Sequence, residues 1–164
     1  MHFEPTALRL WKRMSREERG AAAAAFWKET PAEVSGLALA AVVQARHIRP
    51  QVARSLPPEE QARALASVLN VGEPVAASLL VALHLGERRP MLATFLDAAG
   101  LAHENGVLAD DDAGAAVPED AAGKGVEALR AAGHDAETIR TYLNTLWLQD
   151  PERWKALEAL PDPA

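Results

Sequence analysis

Two histidines and a cluster of acids are the residues whose types and spacing could hold a metal. His84 and Glu87 lie three apart, which sets two side chains on one face of a helix. Metals such as zinc take three or four nitrogen and oxygen ligands, so this pair needs company. His103, Glu104 and the run Asp110 to Asp112, after Gly100, are the candidates to complete it. A metal-dependent enzyme on His84, Glu87, His103, Asp110 and Asp112 is therefore one functional alternative. Its structural counterpart is a hydrogen-bonded histidine near the end of an apolar helix, with Glu87 paired to a nearby arginine. The aspartate run is not an EF-hand, because its ligand spacing is wrong and no glutamate closes it.

Arginines at two proline breaks form the second set. Arg46, His47, Arg49 and Arg54 surround Pro50, and Arg88 and Arg89 precede Pro90. Arginine offers forked donors to phosphates and carboxylates, so these elbows could bind either. Cations also sit well at helix C-termini, which gives them a purely structural use. Four tryptophans make the third set, Trp11, Trp27, Trp147 and Trp154. They read as core anchors, with Trp11 and Trp154, in the end helices, expected to be the exposed pair that marks a docking face.

Other chemistries lack their residues. The chain has no cysteine, no G-x-S-x-G around any serine and no phosphate-cradling glycine loop. No cofactor is expected.

These residues need elements to position them, and the elements are helical. Ala and Leu dominate, while β-branched and aromatic residues are sparse. Glu73 to Gly100 holds the most continuously apolar run, Val75 to Leu85, started by Pro74. A helix apolar on every side belongs inside a bundle. It must stop near Arg88, after which Pro90 begins a shorter helix closed by Gly100.

Further helices are predicted from His2 to Met14, started by Pro5, and from Arg16 to Glu29, the second behind a capping box of Ser15 and Glu18. Another runs from a Thr30 cap and Pro31 to about His47, then a short turn QVARSL, then Glu59 to Leu69. Leu101 to Val117 reads as a loop with a short hairpin possible before Leu108. Pro118 to Ala132, Asp135 to Leu148 and a last helix from Pro151 to Leu160 complete the chain.

These segments resemble one another. MSREERGAAAAAFW (14–27) aligns without gaps on LPPEEQARALASVL (56–69), and Arg49, Pro50, Ala53 and Leu56 fall on Arg89, Pro90, Ala93 and Leu96. Composition alone makes Ala/Leu-rich helices look alike, but an Arg-Pro pair in register with Ala and Leu favours true repetition. The expected fold is all-α: one domain of about three similar helical units (15–56, 57–100 and 118–160) in a short solenoid-like array, with 101–117 inserted and no sizeable sheet.

The net charge of −6 is uneven: residues 1–56 carry +4, 57–100 carry −2 and 101–164 carry −8. Such an asymmetry can steer a partner or a second copy of the chain. The N-terminus lacks a basic region followed by an apolar one, and no apolar run reaches the length of a membrane span. A cytoplasmic protein without membrane contact is expected. The reading that follows most naturally is a non-enzymatic interaction module or scaffold, docking an unidentified protein or itself. A phosphate- or nucleic-acid-binding protein built on the arginine elbows is the first alternative. Nucleic acid is disfavoured by the acidic balance and by the lack of aromatics among the basic residues.

Overall fold

A computed structural model describes residues 1–29, 32–109 and 115–163. The chain is all-α among them, with one two-stranded hairpin. It divides into two compact units, Thr6–Glu87 and a second made of Met1–Pro5 with Arg88–Ala164. The border falls inside the stretch 57–100.

The 6–87 unit contains α1 (Ala7–Arg13), α2 (Arg16–Glu29), α3 (Ala32–Arg46), α4 (Pro50–Ser55), α5 (Pro58–Ala66) and α6 (Glu73–Gly86). The starts of α1, α2, α4 and α5 have visible causes. Thr6 Oγ accepts from Arg9 N–H at 3.2 Å, so Thr6 rather than Pro5 caps α1. Ser15 and Glu18 form the expected reciprocal box at α2: Glu18 N–H donates to Ser15 Oγ and Ser15 N–H to Glu18 Oε2, both at 3.1 Å. Thr30 and Pro31, the expected start of α3, lie outside the described residues. Pro50 and Pro58 occupy the first position of α4 and α5.

The apolar helix α6 lies against α1, α2 and α3, and α2 also packs on α5. Val75, Leu79, Leu80 and Leu83 are buried along α6. Gly86 lets α2 come close, since a Cβ there would stand 3.0 Å from that of Ala25. Glu73, the first residue of α6, accepts from Ala7 N–H at 2.7 Å and Leu8 N–H at 3.0 Å. One carboxylate therefore satisfies two orphan donors at the start of α1.

The second unit contains α7 (Arg89–Ala98), strands β1 (His103–Glu104) and β2 (Val107–Leu108), α8 (Glu119–Ala131), α9 (Ala136–Gln149) and a 3₁₀ helix, Lys155–Ala159. Two Schellman closures end α7 and α8. Gly100 and Gly133 have positive φ, and Leu101 and His134 donate back to Leu96 and Leu129 carbonyls. Phe95 on α7 is the centre of this unit. Its ring stands 5.3 Å from that of Tyr142 and 5.8 Å from that of Trp154, and Gly125 on α8 makes room for it. Burying such a ring contributes roughly 2–3 kcal/mol. The segment 1–5 joins through Phe3, stacked on Trp147, and through Glu4 N–H, which donates to Asn144 Oδ1 at 2.8 Å.

Two expectations are corrected. The last helix from Pro151 is a turn followed by 3₁₀ structure, because Trp154 and Leu157 must both face inward and three residues per turn align them. The elbows before Pro50 and Pro90 also follow different paths. His47 turns left-handed (φ 53°) and Arg49 is extended, whereas Glu87 stays right-handed and Arg89 is already helical.

Candidate functional site: an arginine-lined cleft

Within the 6–87 unit, α2 and α5 leave between them an open cleft of about 770 Å³. Arg16 and Arg19 line it from α2, Arg63 from α5 and Arg46 from the end of α3, with Glu59 and Glu60 as the only acids among its lining residues. Small residues on the facing helices, Gly20 and Ala24 against Ala62 and Ala66, keep its floor shallow and leave the long side chains to form its walls.

The four arginines are not equivalent. Arg19 is committed to the fold: Nε donates to Ala66 O at 3.1 Å and Nη1 to Met14 O at 2.7 Å. These carbonyls close α5 and follow α1, so one guanidinium satisfies two helix C-termini where a cation is favoured. Its plane also lies 5.9 Å from the centre of the Trp11 ring. Among the described residues, the Arg46 side chain hydrogen-bonds only Ser67 Oγ, at 3.5 Å, and that of Arg63 only the Glu59 carbonyl, at 3.4 Å. The Arg16 guanidinium has no hydrogen bond within the described residues. None of Arg16, Arg46 and Arg63 forms an ion pair with Glu59 or Glu60 among those residues.

Three exposed guanidiniums thus face one cleft with most of their forked donors open to solvent. Such a set offers forked donors suited to oxyanions. Ser67 Oγ donates to Ala64 O at 2.6 Å, and the lining residues include no His, Cys or Tyr.

The residues singled out from sequence are placed unevenly. Arg46 reaches the cleft, but Arg49 and Arg54 lie on the exposed surface around α4 and do not line it. Arg88 is half-buried where α7 begins. Arg89 and His103 line a different cleft, of about 740 Å³, along the hairpin, and Arg89 Nη1 donates to Asn105 O at 3.3 Å. Trp11 and Trp154, expected to be exposed, are 0 % and 2 % exposed. Trp11 is drawn in by its Nε1–H, which donates to Val68 O at 2.9 Å, and Trp154 by the Phe95 ring.

The metal candidates do not converge. His84 is buried at 2 % exposure, while Glu87 stands exposed at the end of the same helix. His103 engages Asp97 Oδ1 at 3.1 Å and Gly106 N–H at 3.2 Å. No three His, Asp or Glu residues come together as metal ligands among the described residues, and Asp110 and Asp112 lie outside them. No helix among the described residues is long and apolar enough to cross a membrane.

Sequence reasoning missed Arg16, Arg19 and Arg63 because only the packing of α2 on α5 brings them together. The Ala-rich character of both helices was the available signal, since small side chains permit close approach. No protein-family model, no curated protein and no solved structure matches this chain.

Proposed function

We propose that the chain is a non-enzymatic interaction module that grips an acidic segment of a protein partner in the arginine cleft of its 6–87 unit. The observation that carries this reading is the set of three guanidiniums, Arg16, Arg46 and Arg63, lining one cleft without ion-pair partners among the described residues. Unpaired arginines hold their solvation shells at no benefit to folding, and a carboxylate-bearing partner converts them into charge-assisted hydrogen bonds. A short acidic segment fits better than a long polyanion. Glu59 and Glu60 share the cleft and the chain as a whole carries −6, so a nucleic acid meets repulsion beyond its first contacts. Leu69, 45 % exposed and two residues beyond Ser67, adds an apolar contact for a mixed acidic and apolar segment.

Fluorescence anisotropy with a labelled Glu/Asp-rich peptide tests the reading against a single-stranded oligonucleotide of equal charge. The peptide is expected to bind at low salt and to lose about tenfold or more in affinity when Arg16 and Arg63 are both replaced by Glu. Unchanged peptide binding by that variant, or tighter binding of the oligonucleotide, overturns it.

A further inference from the structure

The hairpin of the second unit carries a chemical arrangement independent of the arginine cleft. Asn105 and Gly106 form its turn, both at positive φ, 49° and 83°. This is the Asn-Gly turn that suits two-residue hairpins. Gly106 N–H donates to His103 Nδ1 at 3.2 Å. That nitrogen therefore bears a lone pair, and the ring proton sits on Nε2, which lies 3.1 Å from Asp97 Oδ1. A carboxylate orienting an imidazole whose free nitrogen accepts an X–H proton is the arrangement that activates a nucleophile. Here X–H is a backbone N–H, and the residue before it is an asparagine. The Asn105 side chain is exposed and has no hydrogen bond among the described residues. Its Cγ is the one electrophilic carbon that Gly106 N can reach by closing a five-membered ring.

We propose that Asn105 is a self-modification site, deamidated through attack by Gly106 N with His103 as the base. His103 Nδ1 takes the proton from Gly106 N–H as the N–Cγ bond forms. The same proton passes to Nδ2 of the Asn105 amide, the Cγ–Nδ2 bond breaks and ammonia leaves, giving a cyclic imide. Water then adds to the imide and opens either of its two C–N bonds, producing aspartate or isoaspartate, with no change in oxidation state. For the attack, the Asn105 backbone must rotate to bring Cγ over the Gly106 nitrogen. Each strand of the hairpin has only two residues, so little pairing resists this opening. Gly106 itself is buried, and its lack of a Cβ lets the turn pack on Leu92, whose Cβ would stand 2.9 Å from one built there.

The product changes the hairpin. It places a new negative charge beside Arg89, which already donates to Asn105 O. The isoaspartate form lengthens the backbone by one carbon and breaks the two-residue turn that sets the strand register.

Peptide mapping by mass spectrometry of the full chain, incubated at neutral pH, resolves Asn, Asp and isoaspartate at position 105. The urea-unfolded chain is the reference. The folded chain is expected to convert faster than the unfolded one. His103→Gln should slow the folded chain roughly tenfold or more and leave the unfolded rate unchanged. Asp97→Ala, on an exposed position, is the second variant and should also slow only the folded chain, by releasing the imidazole from its orientation. A folded chain that converts no faster than the unfolded one overturns the proposal, as does wild-type speed in both variants.

Discussion

The Arg46 guanidinium lies 3.5 Å from Ser67 Oγ and joins the last residue of α3 to the residue that follows α5. The serine hydroxyl spends its proton on Ala64 O and accepts from the arginine. At that length, on an exposed surface, the bond adds little to stability. It parks Arg46 at the cleft without tying it down. Ser67→Ala is therefore expected to shift urea-denaturation stability by about 0.5 kcal/mol or less. Arg46→Ala should leave stability equally untouched and weaken acidic-peptide binding, and equilibrium unfolding beside an anisotropy titration separates the two effects.

Gly125 has no tolerance for a side chain. A Cβ there would stand 2.6 Å from two carbons of the Phe95 ring, which Tyr142 and Trp154 hold in place. Gly125→Ala should destabilise the second unit by about 1–3 kcal/mol, as overpacking does. Adding Phe95→Leu should cost less in the Gly125→Ala background than in wild type, a coupling that a double-mutant cycle measures.

Asp135 caps α9 through Thr138, accepting from its N–H at 2.9 Å and from its hydroxyl at 2.8 Å. The Thr138 N–H bond, followed by the hydroxyl bond, holds the carboxyl below its ordinary value of 3.8. A depressed folded value gives stability that is present above 3.8 and lost as pH falls through the folded value. Asp135→Ala should cost about 1 kcal/mol near neutral pH. That difference should shrink when denaturation is repeated below the ordinary carboxylate range.

Tyr142 is the single tyrosine of the chain, and its burial pushes the phenol well above its ordinary value of 10.0. The folded state keeps this proton where the unfolded state loses it, so stability falls as pH rises past 10.0. Tyrosinate absorbance should therefore appear together with the loss of helical circular dichroism. Absorbance that rises earlier, with the helices intact, would contradict the burial.

The helical class, the capping box at Ser15 and Glu18, the closure at Gly100 and the hairpin before Leu108 were legible because each rests on local rules of capping and turn chemistry. The tryptophans misled because position near a chain end says nothing of burial. Trp11 is buried through Val68, whose carbonyl is 57 residues away. The Arg-Pro register misled for a related reason. Proline marks a helix start in both places, but it says little about the backbone before it. Arg49 is an extended cap, while Arg89 is the first residue of its helix. The cleft was illegible in all but Arg46, since Arg16 and Arg63 meet only when α2 packs on α5.

The most direct test of the arginine cleft is NMR observation of arginine side-chain Nε–H signals during titration with the acidic peptide. The Arg16, Arg46 and Arg63 signals should shift together in a saturable, salt-sensitive manner, while those of Arg49 and Arg54 stay still. Shifts centred on Arg49 and Arg54, or no saturable shift at the three cleft arginines, would contradict the proposed site.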